Sequence, residues 1–182
     1  MKILFYILTL TISLGLFAQD EYPRDAFRSP MDIPMYLAGT FGEPRNTHFH
    51  AGLDIKTQGV EGKNIYAIGD GYISRIKVSA WGYGNTLYIT HTNGYTSVYA
   101  HLKSFNATIT NFVEQQQMDQ TKFEVNLDSL DRNLFPITKG DEIALSGNTG
   151  GSHGPHLHFE IRDSLERPIN PFLFGFDIRV KD

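Results

Sequence analysis

Seven histidines and no cysteine define what this 182-residue chain can do with a metal ion. Without thiols, a transition-metal site must draw on His, Asp or Glu. In His156-Leu157-His158-Phe159-Glu160 two histidines stand one residue apart in a run that alternates with apolar residues. An extended strand would send Leu157, Phe159 and Ile161 into a core and present His156 and His158 together on the opposite face. In His50-Ala51-Gly52-Leu53-Asp54, residues four apart share a face in a strand and a helix alike, and Gly52 with the short run to Lys56 favours a strand. His50, Asp54 and one histidine of the other group would supply three protein ligands and leave a fourth position for water, as hydrolytic zinc chemistry requires. Singly, each histidine reads more readily as a hydrogen-bonded structural residue, and an H-x-x-x-D pair is common by chance; only the combination is informative.

Those residues need a scaffold. Short segments rich in β-branched and aromatic residues, punctuated by glycine, predict a mainly β fold: a single antiparallel β-sheet domain with an open groove and a small helical insertion. Strands are expected near 52–56, 64–68, 71–78, 85–91, 95–102, 142–146 and 156–163. Asn93-Gly94 signals a hairpin with a two-residue turn. That turn pairs Thr92 with Tyr95, Ile89 with Val98, Leu87 with Ala100 and Thr86 with His101. Leu87, Ile89, Val98 and Ala100 then face the core, while Thr86, Tyr88, Thr90, Ser97, Tyr99 and His101 form a groove wall. His91 falls on the core side as a structural residue.

Composition bounds the rest. At 41% hydrophobic and 20% charged the chain suits one globular domain with a sizeable core, and a net charge of −4 offers no basic footprint for nucleic acid. Residues 1–18 read as a secretory signal peptide: Lys2, an apolar run from Ile3 to Phe17, then small Ala18 before Gln19-Asp20-Glu21. An exported protein is therefore expected, periplasmic or extracellular and free of the membrane after cleavage; an uncleaved anchor is the alternative. Residues 19–34 read as an extended lead-in, 35–172 as the domain, and 173–182 as a tail that starts a new alternating run. The segment 103–137 is an insertion with Ile109, Phe112 and Val113 at helical spacing. It is expected as a surface helix, or as a cover for one end of the groove because it follows His101. His48 and His153 flank the site. The glycine-rich stretch 146–155 leads into a strand, not a helix, which rules out a phosphate cradle.

Taken together, His50-Ala51-Gly52-Leu53-Asp54, Gly82-Tyr83-Gly84-Asn85, Tyr99-Ala100-His101-Leu102, Lys139-Gly140-Asp141, Ser146-Gly147-Asn148-Thr149-Gly150 and Gly154-Pro155-His156-Leu157-His158-Phe159-Glu160 resemble, in order, the lysostaphin-like zinc endopeptidases that cut peptidoglycan peptides. The resemblance covers roughly residues 41–170. It implies Zn2+ as cofactor, His50, Asp54 and His158 as its ligands, His101 and His156 as the catalytic histidines, and a peptidoglycan peptide as substrate. An H-E-x-x-H motif, with its glutamate base, is absent. Two other readings stay open: a catalytically silent scaffold or activator of another cell-wall hydrolase, and a peptidoglycan-binding module that uses Tyr83, Tyr88 and Tyr99 as a stacking platform. Glycine bridges and D-alanyl cross-links to a diamino acid are both compatible with the resemblance.

Overall fold

Alternation of large apolar and polar residues builds the strands, and glycine-bearing loops separate them. The computed structural model describes residues 22–179, so the leader expected at 1–18 lies outside the described residues. In chain order the elements are β1 (Met35–Gly39), β2 (Leu53–Lys56), β3 (Asn64–Tyr66), β4 (Gly71–Val78), β5 (Asn85–His91), β6 (Thr96–Leu102), β7 (Ser104–Phe105) and α1 (Ala107–Gln120). There follow β8 (Val125–Leu127), β9 (Pro136–Ile137), β10 (Glu142–Leu145), β11 (His156–Arg162), β12 (Pro168–Ile169), a 3-10 turn at Pro171–Phe174 and β13 (Ile178–Arg179).

Among the described residues ten strands form one sheet, ordered β13-β1-β2-β11-β6-β5-β4-β8 with β12 on β11 and β9 on β4. A second sheet, β3-β10-β7, packs against it through a shared apolar core. The fold is mainly β, and every pairing except β1 with β13 is antiparallel. The expected strands are all present.

Strand β11 organises the functional face. Leu157, Phe159 and Ile161 are fully buried in the core, which turns His156, His158, Glu160 and Arg162 to the other side. On one flank His158 pairs with Asp54 of β2, and on the other with Ala100 of β6. Residues directly opposite across a ladder share a face.

The β5–β6 hairpin departs from the expected register by one residue. His91 pairs with Tyr95 through its N–H to the Tyr95 carbonyl at 2.8 Å, so Thr92, Asn93 and Gly94 form a three-residue loop. A type I′ turn needs positive φ at both central residues; here Gly94 has φ 86° while Asn93 is outside that region. Leu87 therefore pairs with Tyr99, Tyr88 with Val98 and Ile89 with Ser97. Tyr99 and Ser97 enter the core with Leu87 and Ile89, whereas Val98 and Ala100 share the functional face with Glu160 and His158. The expectation for Ser97, Val98, Tyr99 and Ala100 was inverted.

His101 nevertheless reaches the functional face. Between the Leu87–Tyr99 and Asn85–Leu102 pairs, β6 carries one residue more than β5. Ala100 and His101 thus oppose Thr86 alone, and His101 takes φ 58°. This bulge reverses the alternation once, so the one-residue error in register and the unforeseen bulge cancel at this position.

Residues around the sheet ends complete the core. Phe27, from the expected lead-in, contacts His91, Tyr95 and Phe174 with ring centroids 5.1, 6.3 and 5.6 Å away. His91 is 4% exposed, with Nε2 2.7 Å from Ser97 Oγ and Nδ1 3.2 Å from the Asp70 carbonyl. Burial lowers its pKa, against a smaller raising effect of that carbonyl. Helix α1 is capped by Asn106, whose side chain accepts from the Ile109 N–H, and buries Ile109 and Val113. It lies beside β7 and β8, and no residue of 103–137 lines the cleft described below.

Two measurements check these local accounts. An L-residue at φ near +60° costs roughly 1–2 kcal/mol that glycine avoids, so His101→Gly is expected to unfold at a higher temperature than His101→Ala; the reverse order would contradict the bulge. Because native His91 has a lowered pKa, the unfolded chain takes up a proton that the folded one refuses. Stability must then fall as pH drops below the unfolded histidine value of about 6.5. The loss of melting temperature between pH 7 and pH 5 should be smaller in His91→Gln than in the parent.

Candidate metal centre and cleft

The face built by β2, β11 and β6 forms the floor of an open cleft of about 850 Å³. One wall is the tight hairpin 44–49, closed by the Pro44–Phe49 bridge. The other is made by Gly82-Tyr83 and residues 151–155, joined where the Gly151 N–H donates to the Gly82 carbonyl at 2.7 Å. His50, Asp54, His101, His156 and His158 all line this cleft, so the structure brings together the five residues singled out from sequence. His48 and His153 are exposed on its rim.

Three donor atoms converge at the floor. His50 Nε2 lies 3.1 Å from Asp54 Oδ1, His158 Nδ1 lies 3.0 Å from the same oxygen, and the two ring nitrogens are 3.0 Å apart. Four-coordinate zinc with ligands at about 2.0–2.1 Å sets its ligand atoms roughly 3.3 Å apart, close to this spacing. The opposite ring nitrogens are committed elsewhere: His50 Nδ1 to the Thr40 carbonyl at 2.8 Å, and His158 Nε2 to Glu160 Oε1 at 2.8 Å. Carbonyls and carboxylates only accept, so each outer nitrogen carries the hydrogen and each inner one presents a lone pair. A carboxylate oxygen and two such lone pairs at this distance require positive charge between them. A metal ion supplies it, as does a proton on His158. Burial opposes that proton, but hydrogen bonds donated to the Asp54 and Glu160 carboxylates outweigh burial and raise the His158 pKa. Burial also opposes charge on Asp54, yet His156, His158 and His50 together hold its carboxyl far below the usual range. The donor set therefore fits a divalent metal of the zinc type.

His101 and His156 stand beside this cluster. Their rings are 4.7 Å apart, and His156 Nε2 is 3.5 Å from Asp54 Oδ1. His101 Nδ1 bonds the Thr149 carbonyl at 2.8 Å, and His156 Nδ1 the Gly154 carbonyl at 2.8 Å. Both rings thereby turn Nε2 toward the cleft. Burial, with help from His156 and His158, pushes the His101 pKa down to about 4 against the raising effect of the Thr149 carbonyl.

Residues 48–118 and 133–171 match the profile of Peptidase family M23. The chain belongs to that family. The M23 match runs through all five residues and is interrupted only inside the insertion. The chain is 32% identical over 122 residues to the DD-carboxypeptidase/endopeptidase Mpg of Neisseria meningitidis serogroup B, covering 67% of this chain and 22% of Mpg. Identity to the peptidoglycan DD-endopeptidase ShyA of Vibrio cholerae is 28% over 158 residues, 83% of this chain and 30% of ShyA. The chain thus spans less than a third of the length of these relatives. The catalytic domain of the antimicrobial peptidase lysostaphin from Staphylococcus simulans superposes with a TM-score of 0.53 at 25% identity, over 77% of this chain and 89% of that domain. The likeness to lysostaphin-like peptidases read from the motifs holds.

Two residues of this M23 site had no assigned role in the sequence. Glu160 is fully buried. Its Oε1 accepts from His158 and from the Tyr83 hydroxyl, and its Oε2 from Arg162 Nε at 2.7 Å. Burial alone would raise this carboxyl, but His158 and Arg162 keep it low and ionised. Its place on the His face was readable from alternation; its partners were not. Arg45 Nη2 donates to Asp54 Oδ2 at 2.7 Å, a contact set by the 44–49 hairpin that no motif announces. Of the three tyrosines considered as a stacking platform, Tyr88 and Tyr99 are buried, and Tyr83 alone lines the cleft, its hydroxyl bonded to Glu160.

Glu160→Gln retains the shape but offers only one accepting oxygen. Outer partners of metal-bound histidine are worth roughly 10- to 100-fold in metal affinity, so chelator competition should show weaker metal binding by that order. Unchanged affinity would mean that Glu160 does not orient His158.

Proposed function

We propose that the protein is a zinc-dependent endopeptidase that hydrolyses peptide cross-links of bacterial peptidoglycan, acting in the cell envelope or outside the cell. The observation that carries this reading is the convergence of His50, Asp54, His158, His101 and His156 in one open cleft. Membership of M23, the DD-carboxypeptidase/endopeptidase activity named for Mpg and the peptidoglycan DD-endopeptidase activity named for ShyA support it.

In this reading His50, Asp54 and His158 hold the metal. When bound, zinc polarises the scissile carbonyl and lowers the pKa of its water toward neutrality. Hydrolysis breaks the C–N bond, adding the hydroxyl of a water to the carbonyl carbon and its proton to the leaving amine. His101 and His156 perform the transfer: each has Nδ1–H tied to a backbone carbonyl, which fixes the ring and leaves Nε2 to take a proton and pass it on. Once protonated, either ring also offers a donor to the oxyanion. Glu160 and the Thr40 carbonyl hold the two metal-binding imidazoles in orientation.

Elemental analysis and turnover on purified peptidoglycan test these roles. One zinc per chain is expected, and His158→Ala should lose it; full zinc occupancy in that variant would overturn the ligand assignment. His156→Ala and His101→Ala should retain zinc and lose on the order of 10²-fold or more in turnover, the contribution of an acid–base group. Zinc loss in His156→Ala equal to that in His158→Ala would remove the distinction between the two roles.

A further inference from the structure

Among the described residues Trp81 is the most exposed large apolar side chain, at 78%, and it is the single tryptophan of the chain. Its backbone is nevertheless fixed. The Trp81 N–H donates to Ser79 Oγ at 3.2 Å, and its carbonyl accepts from the Gly84 N–H at 3.2 Å. Glu124 ties this segment to the insertion, its Oε1 accepting from the Ala80 N–H at 2.7 Å and from the Ser79 hydroxyl at 3.1 Å. The residue before that anchor, Phe123, is 69% exposed, and it shares a shallow hollow with Met118, 65% exposed. Single apolar residues on a surface are ordinary, but three large ones on segments tied together mark a binding surface. The surface begins at the cleft, because Gly82 and Tyr83, which follow Trp81 in the chain, line its wall. Phe123 and Glu124 lie in the stretch between the two parts of the M23 match, so the insertion is what holds Trp81 in place.

We propose that Trp81, with Phe123, is a stacking platform for the glycan strand that carries the peptide substrate. This rests on the reading above that the substrate is peptidoglycan, and it adds a second subsite, for the sugar part. A cross-link is joined covalently to the sugar polymer through its stem peptides, so a peptide bond held at the cleft floor brings the polymer over the neighbouring surface. Sugar rings present a C–H face that packs on an aromatic ring, and a rim of hydroxyl and amide groups that needs polar partners. The platform has both. Its rings are exposed, the indole N–H of Trp81 meets no acceptor among the described residues, and the exposed Lys122 and Glu124 flank Phe123. A ring on a fixed backbone also loses little freedom when it stacks. An apolar protein partner or a lipid surface would use the rings alone; the polar side chains among them and the position beside the cleft favour the sugar.

Because Trp81 is the chain's single tryptophan, its fluorescence reports on this surface alone. The protein is titrated with peptide-free glycan strands, with the stem peptide free of sugar, and with neutral phosphatidylcholine vesicles. Glycan strands should shift the emission to shorter wavelength and saturate, and the other two should leave it unchanged. No shift with glycan, or an equal shift with the peptide or the vesicles, would overturn the proposal without recourse to any variant. Zinc-loaded protein is then given cross-linked peptide dimers on intact glycan strands and the same dimers stripped of sugar. Trp81→Ala should cut the glycan-bound dimers about 3- to 10-fold more slowly in kcat/KM, the worth of one stacked ring, and the stripped dimers as fast as the parent; Trp81→Phe should keep most of the rate on both. Equal loss on the two substrates would make Trp81 part of the peptide cleft and overturn the proposal. A glycan-dependent shift with no cleavage of either dimer would support the sugar subsite and defeat the hydrolytic reading, so the two fail separately.

Discussion

Everything at the site depends on one carboxylate oxygen. Asp54 Oδ1 lies within 3.1 Å of both His50 Nε2 and His158 Nδ1, and 3.5 Å from His156 Nε2. Such a junction is stable only around positive charge, and everything near it prevents other ways of relieving the repulsion. The outer nitrogens of the rings are tied to Thr40 and Glu160, so neither ring can rotate without losing a hydrogen bond. The second oxygen of Asp54 is tied to Arg45, so the carboxylate cannot turn away. The site is therefore set for a cation by hydrogen bonds that do not themselves touch it.

That arrangement has a cost in the backbone and a large demand on the fold. Holding Glu160 ionised with no exposure requires all of its partners, His158, Tyr83 and Arg162, because a buried charge that loses a partner is strongly destabilising. Arg162 is held in turn over the Tyr88 ring, 5.5 Å from its centroid, which uses the groove-side face of β5 for support and not for ligand contact. The positive φ at His101 belongs to the same account. Strained residues persist where surrounding structure over-determines them, and here the Tyr83 carbonyl takes the His101 N–H while the Thr149 carbonyl takes its ring.

Strands that pair with close neighbours were readable because alternation is a local property: 71–78 and 85–91 have the same bounds in the structure as in the sequence reading. Met35–Gly39 and Ile178–Arg179 were not expected; they pair with each other across nearly the whole described chain. The hairpin register was illegible for a sharper reason. Asn-Gly serves a two-residue and a three-residue loop equally well, and the choice reverses which face Tyr99 and Ser97 occupy. His101 fell on the correct side only because a bulge with no sequence signature restored the phase. His50/Asp54 and His156/His158 were visible because their spacing puts each pair on one strand face, and His101 because its motif resembles the family's. Arg45 and the partners of Glu160 were hidden because their contacts depend on loop geometry and on how many lone pairs are already used.

The position of the site within the sheet follows from how the edges are closed. A long exposed edge strand invites pairing with other chains, and short terminal strands suppress it. Here the sheet ends in the two residues of β13 on one side and the three of β8 on the other, while β9 also covers β4. The first comes from the end of the described chain and the second from the insertion. This leaves β2, β11 and β6 as interior strands, each hydrogen-bonded on both flanks, so that the residues on them are positioned by ladders and not by loops. It also explains why the match to M23 lapses between 118 and 133 without loss of any cleft residue. That stretch pairs with β4 through β8 and adds Val125 to the core, away from the cleft, while the register of β11 sets His158 opposite Asp54.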